Sequence, residues 1–145
     1  MGILGFIVMV VMVVVGLIGS GSIAQIIDLP SVVIVIGATT GALLMSFGSG
    51  LGTAIKAVFR KTADRAMLTL GVAVFERGQS YAVASGVLGT LVGVVVLLSL
   101  IDKASSLGPG LATALITMAY GLFAAYGILA PVAASLRRRL AGMEG

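Results

Sequence analysis

The sequence predicts an all-α membrane protein with four transmembrane helices. Of its 145 residues, 59% are hydrophobic and only 10% are charged, whereas soluble domains carry roughly 25% charged residues. Four apolar segments lie at about residues 3–19, 31–54, 81–101 and 111–130. Each is close to the ~20 residues that a helix needs to cross the hydrocarbon core of a bilayer. The whole chain, residues 1–145, is therefore interpreted as a single membrane domain.

The first span, residues 3–19, has the length of a signal peptide. It lacks a preceding basic region and a clear small-residue cleavage site, so we interpret it as a mature span. The second span leads into a connector at about residues 55–80, which is amphipathic and expected to be a short helical segment. This connector is expected to continue the second span into water and to turn back near Gly71 or Gly78.

The third and fourth spans are joined by a short loop at residues 102–110, in which Gly, Ser, Asp and Pro favour turns. Basic residues lie between spans two and three and after span four, and only Lys103 lies on the opposite side. By the positive-inside rule, both termini and the connector are predicted to be cytoplasmic. The residues that carry this signal are Lys56, Arg60, Lys61, Arg65, Arg77, Arg137, Arg138 and Arg139.

Small residues recur every three or four positions on three of the spans, which places them on one face of each helix. Such stripes allow membrane helices to approach closely. Two interpretations remain open: simple packing, or a narrow and mildly polar face toward a partner helix or a file of ions. The stripes comprise Gly37, Thr40, Gly41 and Gly48 on span two, Ala82, Gly86, Gly89, Thr90 and Gly93 on span three, and Gly110, Thr113, Thr117, Gly121 and Ala124 on span four.

Three threonines, Thr90, Thr113 and Thr117, lie on these faces. Each hydroxyl either bonds to the carbonyl one turn earlier in its own helix or lines an ion path. Asp28 is either a turn residue before Pro30 or a cation-attracting group at an external mouth. Pro131 either ends the fourth span or kinks it at a functional level.

Several functions are excluded by residue types that the chain lacks. Histidine, cysteine and tryptophan are absent, which argues against disulfides, thiolate chemistry, haem ligation and the usual zinc sites. The sequence offers no nucleophile–base pair, so we predict neither an enzyme nor a resident cofactor or metal. The net charge of +4 is assigned to topology rather than to nucleic-acid binding, because the basic residues flank apolar segments. No charged residue lies mid-span, so the chain alone has no group there to bind and release a proton.

Two stretches, residues 19–47 (GSGSIAQIIDLPSVVIVIGATTGALLMSF) and residues 86–121 (GVLGTLVGVVVLLSLIDKASSLGPGLATALITMAYG), resemble the MotA/PomA stator subunits of the MotA/TolQ/ExbB superfamily. The resemblance implies a pentameric ring in the bacterial inner membrane around a single-span partner of the MotB, PomB or ExbD kind. That partner carries a membrane aspartate, and H⁺ or Na⁺ flow drives mechanical work. By match to the family pattern, Thr90 and Asp28 fall on ion-pathway positions and Pro131 on the span-four proline.

Thr117 is assigned to the ion pathway beside Thr90 and Asp28. The chain departs from the family here, because family members usually have threonine where this chain has Met118, which leaves Thr117 one step around the helix. A family proline in span three corresponds to Val83, and the large cytoplasmic region is reduced to the short connector. The resemblance thus implies a short form that drives a load through its partner. The partner-facing or packing residues are Gly86, Gly89, Gly93, Thr113, Gly121 and Pro131.

Two alternatives belong to other classes of protein. The first is a small four-span transporter of the multidrug type, which relies on a span-one glutamate that residues 3–19 do not contain. The second is a passive membrane scaffold, for which packing stripes suffice.

Overall fold

The structure is a computed structural model that describes residues 5, 7–9, 11, 12, 15, 28–60, 62–99 and 104–143. Within that part of the chain every regular element is a helix. We number the helices α1 (Leu29–Phe47), α2 (Gly50–Phe59), α3 (Arg65–Leu98), α4 (Ala104–Leu122) and α5 (Ala130–Ala141). A π-helical stretch, Phe123–Leu129, joins α4 to α5 and is called the π segment.

Three helices are long and apolar enough to cross a membrane: Leu29–Phe47, Arg65–Leu98 and the continuous helix Leu107–Ala141. They correspond to the second, third and fourth predicted spans. The first predicted span, residues 3–19, lies largely outside the described residues. Those described between residues 5 and 15 are helical, and the four-span count stays a prediction.

The second span ends earlier than its apolar sequence predicts. Helix α1 ends at Phe47, and Gly48 adopts a φ of 52°, a left-handed conformation that glycine adopts at little cost. The Gly48 N–H donates to the carbonyl of Leu44 at 2.8 Å, and the chain then starts the separate helix α2 at Gly50. The predicted span at residues 31–54 is therefore divided between α1 and α2.

The chain turns back between Arg60 and Asp64, so the predicted turn near Gly71 or Gly78 was wrong. The Asp64 carboxylate accepts from the Met67 N–H at 2.7 Å and caps the start of α3, as N-terminal aspartates commonly do. Both glycines lie inside α3, where they make room for neighbours. A Cβ on Gly71 would lie 2.9 Å from Leu136 Cδ1, and one on Gly78 would lie 3.4 Å from Leu129 Cδ1.

Helices α2, α3 and α5 pack together at what we call the basic end of the molecule. The cluster of buried apolar residues there comprises Ala57, Leu68 and Leu136 from these helices and Ala63 from the turn before α3. Arg139 on α5 donates from Nη1 to the carbonyl of Ala57 at 2.8 Å and also bonds to the carbonyl of Arg60, which satisfies carbonyls at the end of α2. Arg137 forms an ion pair with Glu76 on α3. The basic side chains around this end are Lys56, Arg60, Arg65, Arg77, Arg137, Arg138 and Arg139.

At the opposite end, the link between spans three and four is shorter than the predicted loop at residues 102–110. Helix α3 ends at Leu98 and α4 begins at Ala104, with Pro109 inside the helix. A proline removes the hydrogen bond to the carbonyl four residues earlier, and its ring crowds that carbonyl. That carbonyl belongs to residue 105 in the first turn of α4, so one backbone bond is missing near the start of this helix. Helices α3 and α4 then run antiparallel and form the main interhelical contact.

Candidate functional site

Helices α3 and α4 touch backbone to backbone where Gly86 faces Gly121. A Cβ built on Gly121 would lie 2.7 Å from the carbonyl oxygen of Ala82 and 2.8 Å from Gly86 Cα. A Cβ on Gly86 would lie 3.0 Å from Gly121 Cα. Neither position has room for a side chain, so these two glycines set the spacing of the two helices.

Gly89 and Gly93 extend this contact toward the end opposite the basic residues. A Cβ on Gly89 would lie 2.5 Å from Thr117 Cγ2, and one on Gly93 would lie 2.9 Å from Ala114 Cβ. The glycines of α3 therefore leave space into which the short side chains of α4 pack. We call the surface between Gly86–Gly93 on α3 and Ala114–Gly121 on α4 the glycine seam.

Thr90 lies on the glycine seam and is half-buried. Its hydroxyl is within donating distance of two carbonyls, that of Gly86 in its own helix at 3.0 Å and that of Ala114 across the seam at 2.8 Å. A hydroxyl carries one hydrogen, so its two lone pairs remain available to a third group. The structure thus shows the local back-bond of Thr90, and a place for Thr90 in an ion path stays a prediction.

Thr117 is buried, with 3% of its surface exposed, and its Oγ1 lies 2.6 Å from Ser31 Oγ on α1. Its hydroxyl is also 3.2 Å from the carbonyl of Thr113. The Ser31 hydroxyl in turn donates to the Asp28 carboxylate. Between Ser31 and Thr117 either hydroxyl could be the donor. We call these three groups the polar chain.

Asp28 caps α1: its carboxylate also accepts from the Ser31 N–H at 3.0 Å. It lies inside the end of the bundle rather than beyond it. Ser31, two residues into α1, is level with Thr117, thirteen residues into α4. A Cβ on Gly89, nine residues before the end of α3, would lie 3.4 Å from Ile34 Cγ2. Both contacts place the start of α1 short of the ends of its two neighbours.

The other two residues singled out from the sequence lie away from the polar chain. Thr113 is exposed on α4, although its carbonyl faces Thr117. Pro131 is exposed on α5, directly after the π segment. The helix therefore continues through Pro131, and the peptide N–H of Ala130 bonds to the carbonyl of Ala125, five residues earlier. π segments of this kind are frequent at functional sites.

Sequence reasoning missed Ser31 and a second pair of buried hydroxyls. Thr39 on α1 donates to Ser85 on α3 at 3.3 Å, whereas the predicted Thr40 is exposed. The pattern Asp28-Leu-Pro-Ser31 before an apolar run is an N-cap signal for Asp28, but it does not predict the contact of Ser31 with Thr117. The Thr39–Ser85 pair had no comparable signal, because neighbouring threonines cannot be told apart before the rotation of the helix is known.

The small-residue stripe of span two faces away from the described helices. A Cβ at Gly37, Gly41 or Gly48 would meet nothing within 4 Å. This stripe and the glycine seam therefore lie on different faces of the bundle.

Long apolar helices with a glycine seam and hydroxyl groups as the polar atoms of their interface define a multi-pass membrane protein. The sequence model of the MotA/TolQ/ExbB proton channel family matches residues 36–144. The chain belongs to this family, and both resembling stretches overlap the matched residues.

The chain is also similar to curated proteins, including motility proteins. The chain is 38% identical over 85 residues to motility protein A of Aquifex aeolicus, which covers 54% of the chain and 34% of that protein. It is 39% identical over 71 residues to chemotaxis protein PomA of Vibrio alginolyticus, covering 49% and 28%. It is 41% identical over 69 residues to the uncharacterized protein YtxD of Bacillus subtilis, covering 48% and 25%. The matched part thus spans a quarter to a third of each relative.

Proposed function

We propose that the chain is a stator-type subunit of an ion-driven motor and surrounds a single-span partner as a pentamer in the bacterial inner membrane. Its termini and basic end face the cytoplasm, with four spans in each subunit. The transported ion is H⁺ or Na⁺. The proposal rests on membership of a proton channel family and on its similarity to motility protein A and PomA. The structural observation that supports the proposal most strongly is the polar chain from Asp28 to Thr117, beside Thr90.

The chemistry of the interface supports a division of labour between two chains. Among the described residues, the carboxylates besides Asp28 are Asp64 and Glu76, and both lie at the basic end. Thr90 and Thr117 provide hydroxyl oxygens, which suit hard cations but do not exchange a proton at neutral pH. We propose that a partner aspartate binds the ion at the level of Thr90 and that Asp28 attracts cations toward it.

The glycines of the seam are proposed to hold the two helices at a fixed spacing in the motor. Gly86, Gly89, Gly93 and Gly121 keep α3 and α4 at close, fixed spacing, while Thr113 lies on an exposed face of α4 that is available to a neighbour. Pro131 is also exposed, on α5. A rigid helix pair that repeats around a ring gives equivalent sites to a rotating partner. The turn between α2 and α3, from Arg60 to Asp64, leaves no folded domain there. The load is therefore proposed to be moved through the partner.

The test is ion flux in vesicles that hold the chain with a single-span partner bearing one membrane aspartate. We expect Na⁺ or H⁺ uptake that is lost when that aspartate becomes asparagine. Thr90→Ala is expected to alter the ion dependence, whereas Thr90→Ser retains it. Thr69→Ala is the matched control, because Thr69 makes the same back-bond to the Arg65 carbonyl, at 2.9 Å, outside the seam. Unchanged ion dependence in Thr90→Ala vesicles would remove Thr90 from the path, and absence of any flux would contradict the motor proposal.

A further inference from the structure

We infer that a cleft along the π segment and α5 binds one anionic phospholipid, with its phosphate at Arg138 and an acyl chain along Pro131 and Ile128. This inference does not depend on the motor proposal. It rests on the shape of the cleft, on the order of polarity along it and on the distinct position of Arg138 among three consecutive arginines.

The cleft has a volume of about 650 Å³ and is lined by residues from Gly127 to Arg139, together with Val58 of α2. This volume lies within the roughly 300–1,000 Å³ of ordinary ligand sites. Because its lining comes mainly from one continuous helix, the cleft runs along that helix for about 18 Å, at ~1.5 Å per residue. A lipid chain lies in the same direction, along the axis of the membrane-spanning helix.

The local sequence explains why a cleft forms here. Gly127 has no side chain of its own, and the Met9 methyl of the first predicted span packs beside it, 2.9 Å from the position of a Cβ. Pro131 has no N–H to return to the Gly127 carbonyl. The helix passes this point as the π segment, with the Ala130 N–H bonded five residues back to Ala125. Among the described residues outside this helix, Val58 of α2 lines the cleft.

Polarity changes along the cleft in the order found in a phospholipid. Pro131, Ser135 and Arg138 are spaced four and three residues apart, so they lie on one face of α5. Going toward the basic end, this face passes from an apolar ring to a hydroxyl and then to a guanidinium. A phospholipid presents an acyl chain, ester oxygens and a phosphate in the same sequence. A soluble anion would use the arginine alone and leave the apolar part of the cleft empty.

Arg138 differs from its two neighbours in its contacts. Arg137 is paired with Glu76, and Arg139 is bonded to the carbonyls of Ala57 and Arg60. Arg138 is exposed at the rim of the cleft, and no carboxylate in the described part of the chain forms an ion pair with it. A guanidinium binds phosphate with two parallel hydrogen bonds. Basic residues at the cytoplasmic end of a span attract anionic lipid in this way.

Lipid binding to the full chain is measured by native mass spectrometry in detergent, with added phosphatidylglycerol or phosphatidylcholine. We expect phosphatidylglycerol to bind preferentially, and Arg138→Gln to weaken it about fivefold, the effect of one basic residue at an anionic surface. Arg77→Gln makes the same charge change on an exposed residue of α3 outside the cleft and is expected to leave binding unchanged. Equal weakening by both variants, or equal binding of the two lipids, would overturn the inference.

The position of the chain is tested separately with phosphatidylglycerol that carries a diazirine in its acyl tail. We expect labelling between Ile128 and Pro131 in the unmodified protein, and loss of that labelling in Arg138→Gln. Labels spread over the outer faces of α1 and α3 would indicate bulk lipid and contradict a site. A crosslinker at Ser135 that captures a second copy of the chain would assign the cleft to a subunit interface instead.

Discussion

Ser31 Oγ lies 2.6 Å from Thr117 Oγ1, which joins the first turn of α1 to the middle of α4. The same serine donates to Asp28, so one hydroxyl connects a helix cap to an interhelical contact. Two helices thereby share one hydrogen-bonded unit toward the end of the bundle opposite the basic residues. Its geometry fixes where α1 starts relative to the glycine seam.

The first prediction concerns this contact. We expect Ser31→Ala and Thr117→Val each to lower thermal stability in detergent. The double variant should lose less than the sum of the two, with a coupling of about 0.6 kcal/mol, the usual size for interhelical hydrogen bonds in membranes. Circular dichroism melting of all four proteins measures the cycle. Strict additivity would show that the two hydroxyls do not depend on each other.

The glycine seam leads to a second prediction. Gly121→Ala introduces a methyl group 2.7 Å from the Ala82 carbonyl oxygen, and backbone cannot move aside as a flexible side chain can. We expect a loss of about 1–3 kcal/mol, as for other overpacked sites, measured as a lower melting temperature and reduced recovery of assembled complex. Gly37→Ala is the control, since a Cβ there meets nothing within 4 Å. Equal behaviour of the two variants would contradict close approach at Gly121.

A third prediction follows from the break between α1 and α2. Gly48 has a φ of 52°, so Gly48→Ala should destabilise the protein by about 1–3 kcal/mol because an L side chain is strained at this positive φ. Gly52→Ala, in the open interior of α2, should instead stabilise it by up to ~1 kcal/mol. Melting curves of the two variants are expected to shift in opposite directions. A stabilising Gly48→Ala would mean that α1 and α2 form one straight helix.

The fourth prediction concerns the turn before α3. Asp64→Ala removes the acceptor for the Met67 N–H and is expected to cost about 1 kcal/mol, a typical value for an N-cap. Asp64→Asn keeps an acceptor oxygen and should retain most of the stability. Hydrogen exchange at the first turn of α3 reads this effect locally. Identical exchange in the alanine and asparagine variants would exclude the cap.

The sequence predicted the helices better than their ends. Hydropathy located the three spans that the structure describes. In a membrane, a run of about twenty apolar residues has few alternatives to a transmembrane helix. The break at Gly48 and the turn at Arg60–Asp64 were missed because they depend on one glycine conformation and one cap. Glycine content alone suggested Gly71 and Gly78 as turn residues, whereas the structure uses them to receive Leu136 and Leu129.

The sequence predicted which face of each helix carries the candidate site residues. It did not predict which side chains hydrogen-bond to each other. Helical periodicity placed Thr90 and Thr117 beside the small residues, and the structure brings both to the seam. The role of Ser31 depends on how far α1 slides along α4, a quantity that no single-helix pattern contains. The sequence singled out Thr40, whereas the structure buries Thr39. The two threonines lie 100° apart around α1, so the rotation of this helix decides which one is buried.

The recessed start of α1 has an electrical consequence. Moving one elementary charge across a membrane potential of 100 mV involves about 2.3 kcal/mol, and this drop is distributed over the thickness of the barrier. In the proposed path, a cation that reaches Asp28 from outside has already passed the outer ends of α3 and α4 and has crossed a fraction of that drop. The occupancy of Asp28 by the cation would rise with the applied voltage as well as with the external cation concentration. Cation binding at this carboxylate would therefore depend on voltage.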